Sequence, residues 1–215
     1  MTRRTPLALV ATAALAFGAA ACGDDESTSS ASSAGPKPAA QVENLTGKQT
    51  EVTLDAGFVE ALTSLKVTPG PVGDAKISAA GIASFPITGG NVTYYTPGSV
   101  NPYVQGIINH DGSGLSLEAG GKKVELENFD VDPGKSVLTG DVSVDGEEAV
   151  ADAPLFFLDG RTLQPLQAGD DGTAVLEGTT VKLKQEAADL LNKTFGIDAL
   201  KAGLVIGVAK ITINT

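Results

Sequence analysis

The sequence predicts a mainly β protein: short antiparallel strands in a sandwich or barrel, closed by two short amphipathic helices. Three observations carry this. Apolar residues alternate with period two in several short segments. Turn-forming pairs, most of them Asp-Gly, punctuate those segments. Two stretches break the rhythm with apolar residues at helical spacing.

Along the chain, "EVTL" places Val52 and Leu54 on one side of a strand. "DAGFVEALTSLKV" follows, with Phe58, Leu62 and Leu65 on one helical face and Asp55 placed to cap the first turn. Strands over 91–95 and 103–109 pair as a hairpin around "TPGSVNP", a register that sets Tyr95 opposite Tyr103 and His110 opposite Thr88. "LSLE", "KVELENF" and "LTGDVSV" continue the alternation through Leu115, Leu117, Val124, Leu126, Leu138, Val142 and Val144. Expected turns stand at Asp111-Gly112, Gly120-Gly121, Asp132-Pro133-Gly134, Asp145-Gly146, Asp159-Gly160 and Asp171-Gly172. "KQEAADLLNKTFG" gathers Ala187, Leu190, Leu191 and Phe195 on a second helical face that ends at Gly196, and "LVIGVAKITI" is the last strand. Each helix is expected to cover an edge or end of the β structure; the alternative is that one lines a ligand pocket. With 5% aromatic residues and no tryptophan, the expected core is Val, Leu and Ile.

The N-terminal segment has a different character. Arg3 and Arg4 precede an apolar, alanine-rich run from Pro6 to Ala21, too short for a good membrane span and typical of a secretion signal. Its end, "AAACG", resembles the bacterial lipobox, although leucine is usual where Ala19 stands. That resemblance implies a signal peptide over 1–21 and Cys22 as the lipidated first residue of a chain held at the extracytoplasmic face of the cell membrane. An ordinary signal peptide, releasing a secreted protein, is the alternative. Cys22 is the only cysteine, so an intrachain disulfide is excluded. Residues 22–45, rich in Ser, Ala, Pro and acidic groups, read as a disordered tether reaching about 25 Å. The remaining 46–215 is long enough for one domain with a real core.

Composition narrows the function classes. Removing residues 1–21 leaves 13 basic and 26 acidic residues with no basic cluster, which argues against nucleic-acid binding. The single histidine, His110, has no G-x-S-x-G partner for hydrolytic chemistry, and one His with one Cys cannot build a zinc site. No dinucleotide or phosphate loop is present, and the Asp-Gly pairs do not have the spacing of an EF-hand. An enzyme is therefore not expected.

Two longer stretches carry a family resemblance. "FPITGGNV" (85–92), "GIINHDGSGLSLEAGGKKVELENFDVD" with "LTGDV" after it, and the closing "AADLLNKTFG" and "AGLVIGVAKITI" resemble the HtaA-type domain of bacterial secreted and surface proteins, over roughly residues 50–215. The resemblance implies a β-sandwich with short helices that binds haem, with a tyrosine from the first helical segment on the iron and a strand histidine bonded to it. His110 stands where that histidine is expected. The helical segment "GFVEALTSL" contains no tyrosine. Tyr94, Tyr95 and Tyr103 are the candidate substitutes, yet the hairpin register sets His110 about 20 Å along the strand from Tyr94.

His110 thus has two readings: part of a ligand site, or a partly exposed imidazole bonded to the Asp111-Gly112 turn. Two functions follow. One is a membrane-anchored binding module for haem or another apolar small ligand; the other is an adhesion or cell-envelope interaction domain without a small ligand. A cavity bordered by the first helix and His110 would favour the first.

Overall fold

The computed structural model describes residues 35–215, so the expected signal peptide, Cys22 and most of the expected tether lie outside the described residues. The chain enters the fold earlier than residue 46. Strand β1 (Ala40–Val42) pairs with β6 (Gly89–Tyr94), and Leu45 is buried in the core. Val42 and Leu45 supply enough apolar surface to order a segment whose composition otherwise reads as tether.

The architecture is antiparallel β with two helices, as the period-two segments predict. β2 (Lys48–Leu54) leads into helix α1 (Ala56–Leu65), where Asp55 Oδ1 accepts from the Gly57 and Phe58 amides at 2.9 and 3.3 Å. Lys66, in the left-handed region at φ 57°, ends that helix. Three short strands follow, β3 (Thr68–Gly73), β4 (Lys76–Ile77) and β5 (Ile82–Pro86). Then come β6, β7 (Val104–Ala119), β8 (Lys122–Asp132), β9 (Val137–Val144) and β10 (Glu147–Asp159). β11 (Gln167–Gly169), β12 (Thr173–Leu183), helix α2 (Gln185–Phe195) and β13 (Val205–Asn214) complete the domain.

Hydrogen-bonded neighbours run β1-β6-β7-β8-β9-β10-β12-β13-β2-β5-β4, with β3 on β7 and β11 on β12. Five strands separate β7 from β2 along this path. Even so, His110 of β7 bonds to Thr50 of β2, and Phe85 of β5 packs against the His110 ring. The sheet therefore curls until its two halves face each other as a sandwich does, with the core between. Every described strand finds its partners within residues 40–214, so the segment 35–215 carries its own sheet and core.

β7 departs from expectation at Asp111-Gly112. This pair is not a turn but a bulge inside one 16-residue strand, with a register shift against β8 between His110 and Gly114. At the bulge β7 changes neighbours: residues 104–109 pair with β6 and 113–118 with β3. Gly112 takes φ +68° there, and a side chain on Gly114 would overlap the Leu126 carbonyl. Asp111 fastens the crossing through Thr88, whose hydroxyl donates to its carboxylate and accepts from its amide, both at 3.0 Å. β6 and β7 keep the expected register, with Tyr94 opposite Val104 and Gly89 opposite Asn109.

The helices pack outside the cavity described below. α1 lies against β13 and β3 through Phe58 and Leu62, and α2 against β10 and β8 through Ala187, Ala188 and Leu191. Burying such side chains contributes about 1.5–3 kcal/mol for each of the larger ones. The core also contains more aromatic surface than composition predicts, because Phe58, Phe85, Phe129, Phe156 and Tyr94 are all buried.

Candidate functional site

Between the two faces of the curled sheet lies a cavity of about 590 Å³. This falls within the range of small-molecule sites, roughly 300–1,000 Å³. Its walls come from both halves: Val52 and Leu54 of β2, Phe85 of β5, Phe129 and Val131 of β8, Phe156 and Leu158 of β10, and Ile206 and Ile211 of β13. Inward-facing positions of alternating strands meet here, so the period-two pattern that builds the core also builds an apolar pocket.

His110 marks the closed end. It is 1% exposed, which corrects the reading of a partly exposed imidazole bonded to its own turn. Nδ1 lies 3.0 Å from the Phe129 carbonyl, an acceptor only, so Nδ1 carries the hydrogen and donates. Nε2 then offers a lone pair, and the Thr50 hydroxyl, 2.8 Å away, donates to it. Burial pushes the His110 pKa below its ordinary value, partly opposed by the Phe129 carbonyl and the charge of Asp130. The ring is neutral, with both nitrogens bonded. An aromatic row continues from it: Phe85 meets His110 edge-on at 6.5 Å between centroids, Phe129 meets Phe85 at 5.4 Å, and Phe156 meets Phe129 at 6.4 Å.

The tyrosines divide. Tyr103 lines the same cavity, but residues 104–109 of β7 lie between it and His110, about 23 Å of extended chain. Desolvation, and then the neighbouring Tyr94, raise its phenol pKa. Tyr94 is buried in an edge-on contact with Tyr103, 5.9 Å between centroids, and its ring lines a smaller adjoining cavity of about 70 Å³. Tyr95 lines neither cavity; its amide donates to the Tyr103 carbonyl at 2.7 Å. The structure therefore joins His110 and Tyr103 in one cavity and leaves Tyr94 and Tyr95 outside it.

The opening lies where Tyr103, the turn after β8 and the chain after β10 converge, since half-exposed Phe157 and exposed Arg161 belong to the lining there. Asp159 accepts from Arg161 Nε and Nη2 at 2.9 and 2.6 Å and from Lys182 Nζ at 2.8 Å. The Arg161 guanidinium and then the Lys182 ammonium hold its carboxyl well below the usual carboxylate range. In sequence, Asp159 reads as half of an Asp-Gly turn, and nothing local links it to Lys182, 23 residues on. Thr50 and Phe85 are equally silent in sequence as site residues, because only the curl of the sheet brings them to His110, whereas Phe129 faces His110 directly across the β7–β8 pair.

Comparison with known proteins agrees at the level of the fold. The C-terminal domain of HtaA from Corynebacterium glutamicum superposes with a TM-score of 0.55 at 15% identity, over 80% of this chain and 98% of that one. The fold is HtaA-like. The heme binding protein HtaB from the same organism aligns with a TM-score of 0.45 at 10% identity, over 81% of this chain and 96% of that one. No family model matches the sequence, and no curated protein matches it.

Haem is the group that the sequence resemblance implies, and the cavity suits it in part. The apolar walls and aromatic row can enclose a flat apolar body, and a neutral imidazole whose Nε2 carries the lone pair is the form that binds iron. The expected tyrosine–histidine pair does not form: the side-chain partner of His110 is Thr50, and α1 contributes nothing to the cavity lining. For His110 Nε2 to hold an iron, the Thr50 hydroxyl would have to turn away.

Proposed function

We propose that this domain is a binding module, not an enzyme, that takes an apolar small ligand, haem foremost, into the cavity between the faces of its curled sheet. In this reading Cys22 anchors the chain to the extracytoplasmic face of the membrane and residues after it hold the domain clear of the surface. The observation that carries the proposal is the apolar cavity of about 590 Å³ with a neutral, fully bonded histidine at its closed end. Support also comes from the HtaA-like fold and from His110 standing where the resemblance expects a histidine. His110, through Nε2, is the residue that would hold the iron of haem, and the aromatic row and the β13 residues would enclose its apolar body. When bound, haem brings iron redox and ligand chemistry; the chain itself encloses, orients and excludes water.

The test is a titration of residues 35–215 with haemin, followed by absorption spectroscopy, with His110→Ala and His110→Gln alongside. A saturable one-to-one Soret shift, weakened about tenfold or more by either substitution, a loss of about 1.4 kcal/mol or more, is expected. A shift indifferent to both substitutions would remove His110 from the site. No saturable shift would remove haem.

A further inference from the structure

The mouth of the cavity carries a charge arrangement that an apolar ligand alone does not use. Among the described residues lining the cavity, the charged side chains are Asp159, Arg161 and Lys182, and they form one cluster at the opening. One carboxylate against two cations leaves a net charge of +1 beside a mainly apolar interior. Asp159 engages Nε and Nη2 of Arg161 and a single hydrogen of Lys182. Nη1 of Arg161 and two ammonium hydrogens of Lys182 are left over from these bonds. The Arg161 side chain is 82% exposed and Lys182 23%, so one cation faces solvent and the other is partly buried. Phe157, paired with Lys182 across β10 and β12, adds a half-exposed aromatic lip.

We infer that the ligand of this cavity is an amphiphile, an apolar body ending in a carboxylate, whose anionic end is held at the mouth by Arg161 and Lys182. This rests on the cavity reading above and adds the polarity and direction of the ligand. Asp159 aligns the two cations, and the uncompensated positive charge takes the incoming carboxylate. Guanidinium and ammonium donors bind carboxylate more strongly where water is partly excluded, as it is around the partly buried Lys182. The same chemistry is available from a propionate of haem and from the head of a fatty acid.

The experiment compares acids with their esters on residues 35–215: haemin against its dimethyl ester by absorption, and a fluorescent polyene fatty acid against its methyl ester by emission. Each acid that fits should bind about tenfold more tightly than its ester. Arg161→Met should weaken the acid about threefold and Lys182→Met about tenfold, with both esters unchanged. Asp159→Asn, which raises the net charge of the rim to +2 and keeps an oxygen for the Arg161 amide, should tighten the acid and leave the ester as it was. A preference for acid in the fatty-acid pair alone or the haemin pair alone supports the inference and identifies the source. Acid and ester binding equally, unmoved by the rim variants, overturns the inference and leaves the cavity reading standing. Binding of neither member of either pair overturns the cavity reading, and the inference falls with it.

Discussion

Thr50→Val isolates the bond that defines the closed end of the cavity. Valine keeps the branched shape suited to the middle of β2, between β13 and β5, but removes the hydroxyl that donates to His110 Nε2 at 2.8 Å. Both residues are buried, at 6% and 1% exposure, so the substitution leaves an imidazole acceptor in an apolar setting without a donor. Such a loss costs about 1–3 kcal/mol, with the lower end reached if water enters from the cavity. With a urea dependence of about 2 kcal/mol per molar for a domain of this size, the midpoint should fall by about 0.5–1.5 M at unchanged slope. Equilibrium urea denaturation of residues 35–215 at pH 7.5 measures it. A midpoint within about 0.2 M of the parent would refute the bonding scheme assigned to His110. The same variant frees the Nε2 lone pair, so haemin should bind Thr50→Val more tightly while the fold becomes weaker. Stability and affinity moving in opposite directions is the mark of a polar bond standing in for a ligand contact.

Two further outcomes follow from the geometry. Burial lowers the folded pKa of His110, so the folded chain stays neutral at this position while the unfolded chain takes up a proton as pH falls through about 6.5. The stability this contributes is complete above that pH and declines below it by up to about 1.4 kcal/mol per pH unit; urea midpoints at pH 7.5 and 5.5 should show His110→Gln losing less than the parent, and equal losses would contradict a neutral buried ring. At the bulge, Gly114→Ala drives a methyl into the Leu126 carbonyl and should cost about 3 kcal/mol or more, whereas Gly112→Ala, open to space but at φ +68°, should cost about 1–2 kcal/mol. A reversed order in thermal unfolding would mean that β7 and β8 do not cross as closely as described.

Much of the fold is legible along the chain because strand and helix periodicity are local. "EVTL", "LSLE", "KVELENF", "LTGDVSV" and the final strand all lie in strands, and Asp55 and Gly196 end their helices as expected. Asp111-Gly112 looks identical to the true turns at Asp145-Gly146 and Asp171-Gly172. Only its neighbours, β6 on one side of the pair and β3 on the other, make it a bulge within a continuous strand. β10 lies hidden for a related reason. Its first six residues are exposed, and Pro154 interrupts the run, tolerated where the register against β9 shifts. The low aromatic content conceals the aromatic row, since composition reports how many rings there are and not that Phe85, Phe129 and Phe156 converge beside His110.

The sequence by itself determined the class of the fold, the Asp55 cap of the first helix and the Gly196 cap of the second, the hairpin register around Tyr95 and Tyr103, and the singling out of His110 as the one imidazole. These depend on interactions among residues close along the chain, or on counting. The tertiary structure decided that His110 is buried and neutral, that Thr50 and not a tyrosine is its partner, and that Asp159, Arg161 and Lys182 stand together at a cavity mouth. Sixty residues separate Thr50 from His110, and five strands lie between β2 and β7 in the sheet. Their meeting is set by how far the whole sheet curls, which is a sum of twist and bulges over every strand and is written at no one position in the chain.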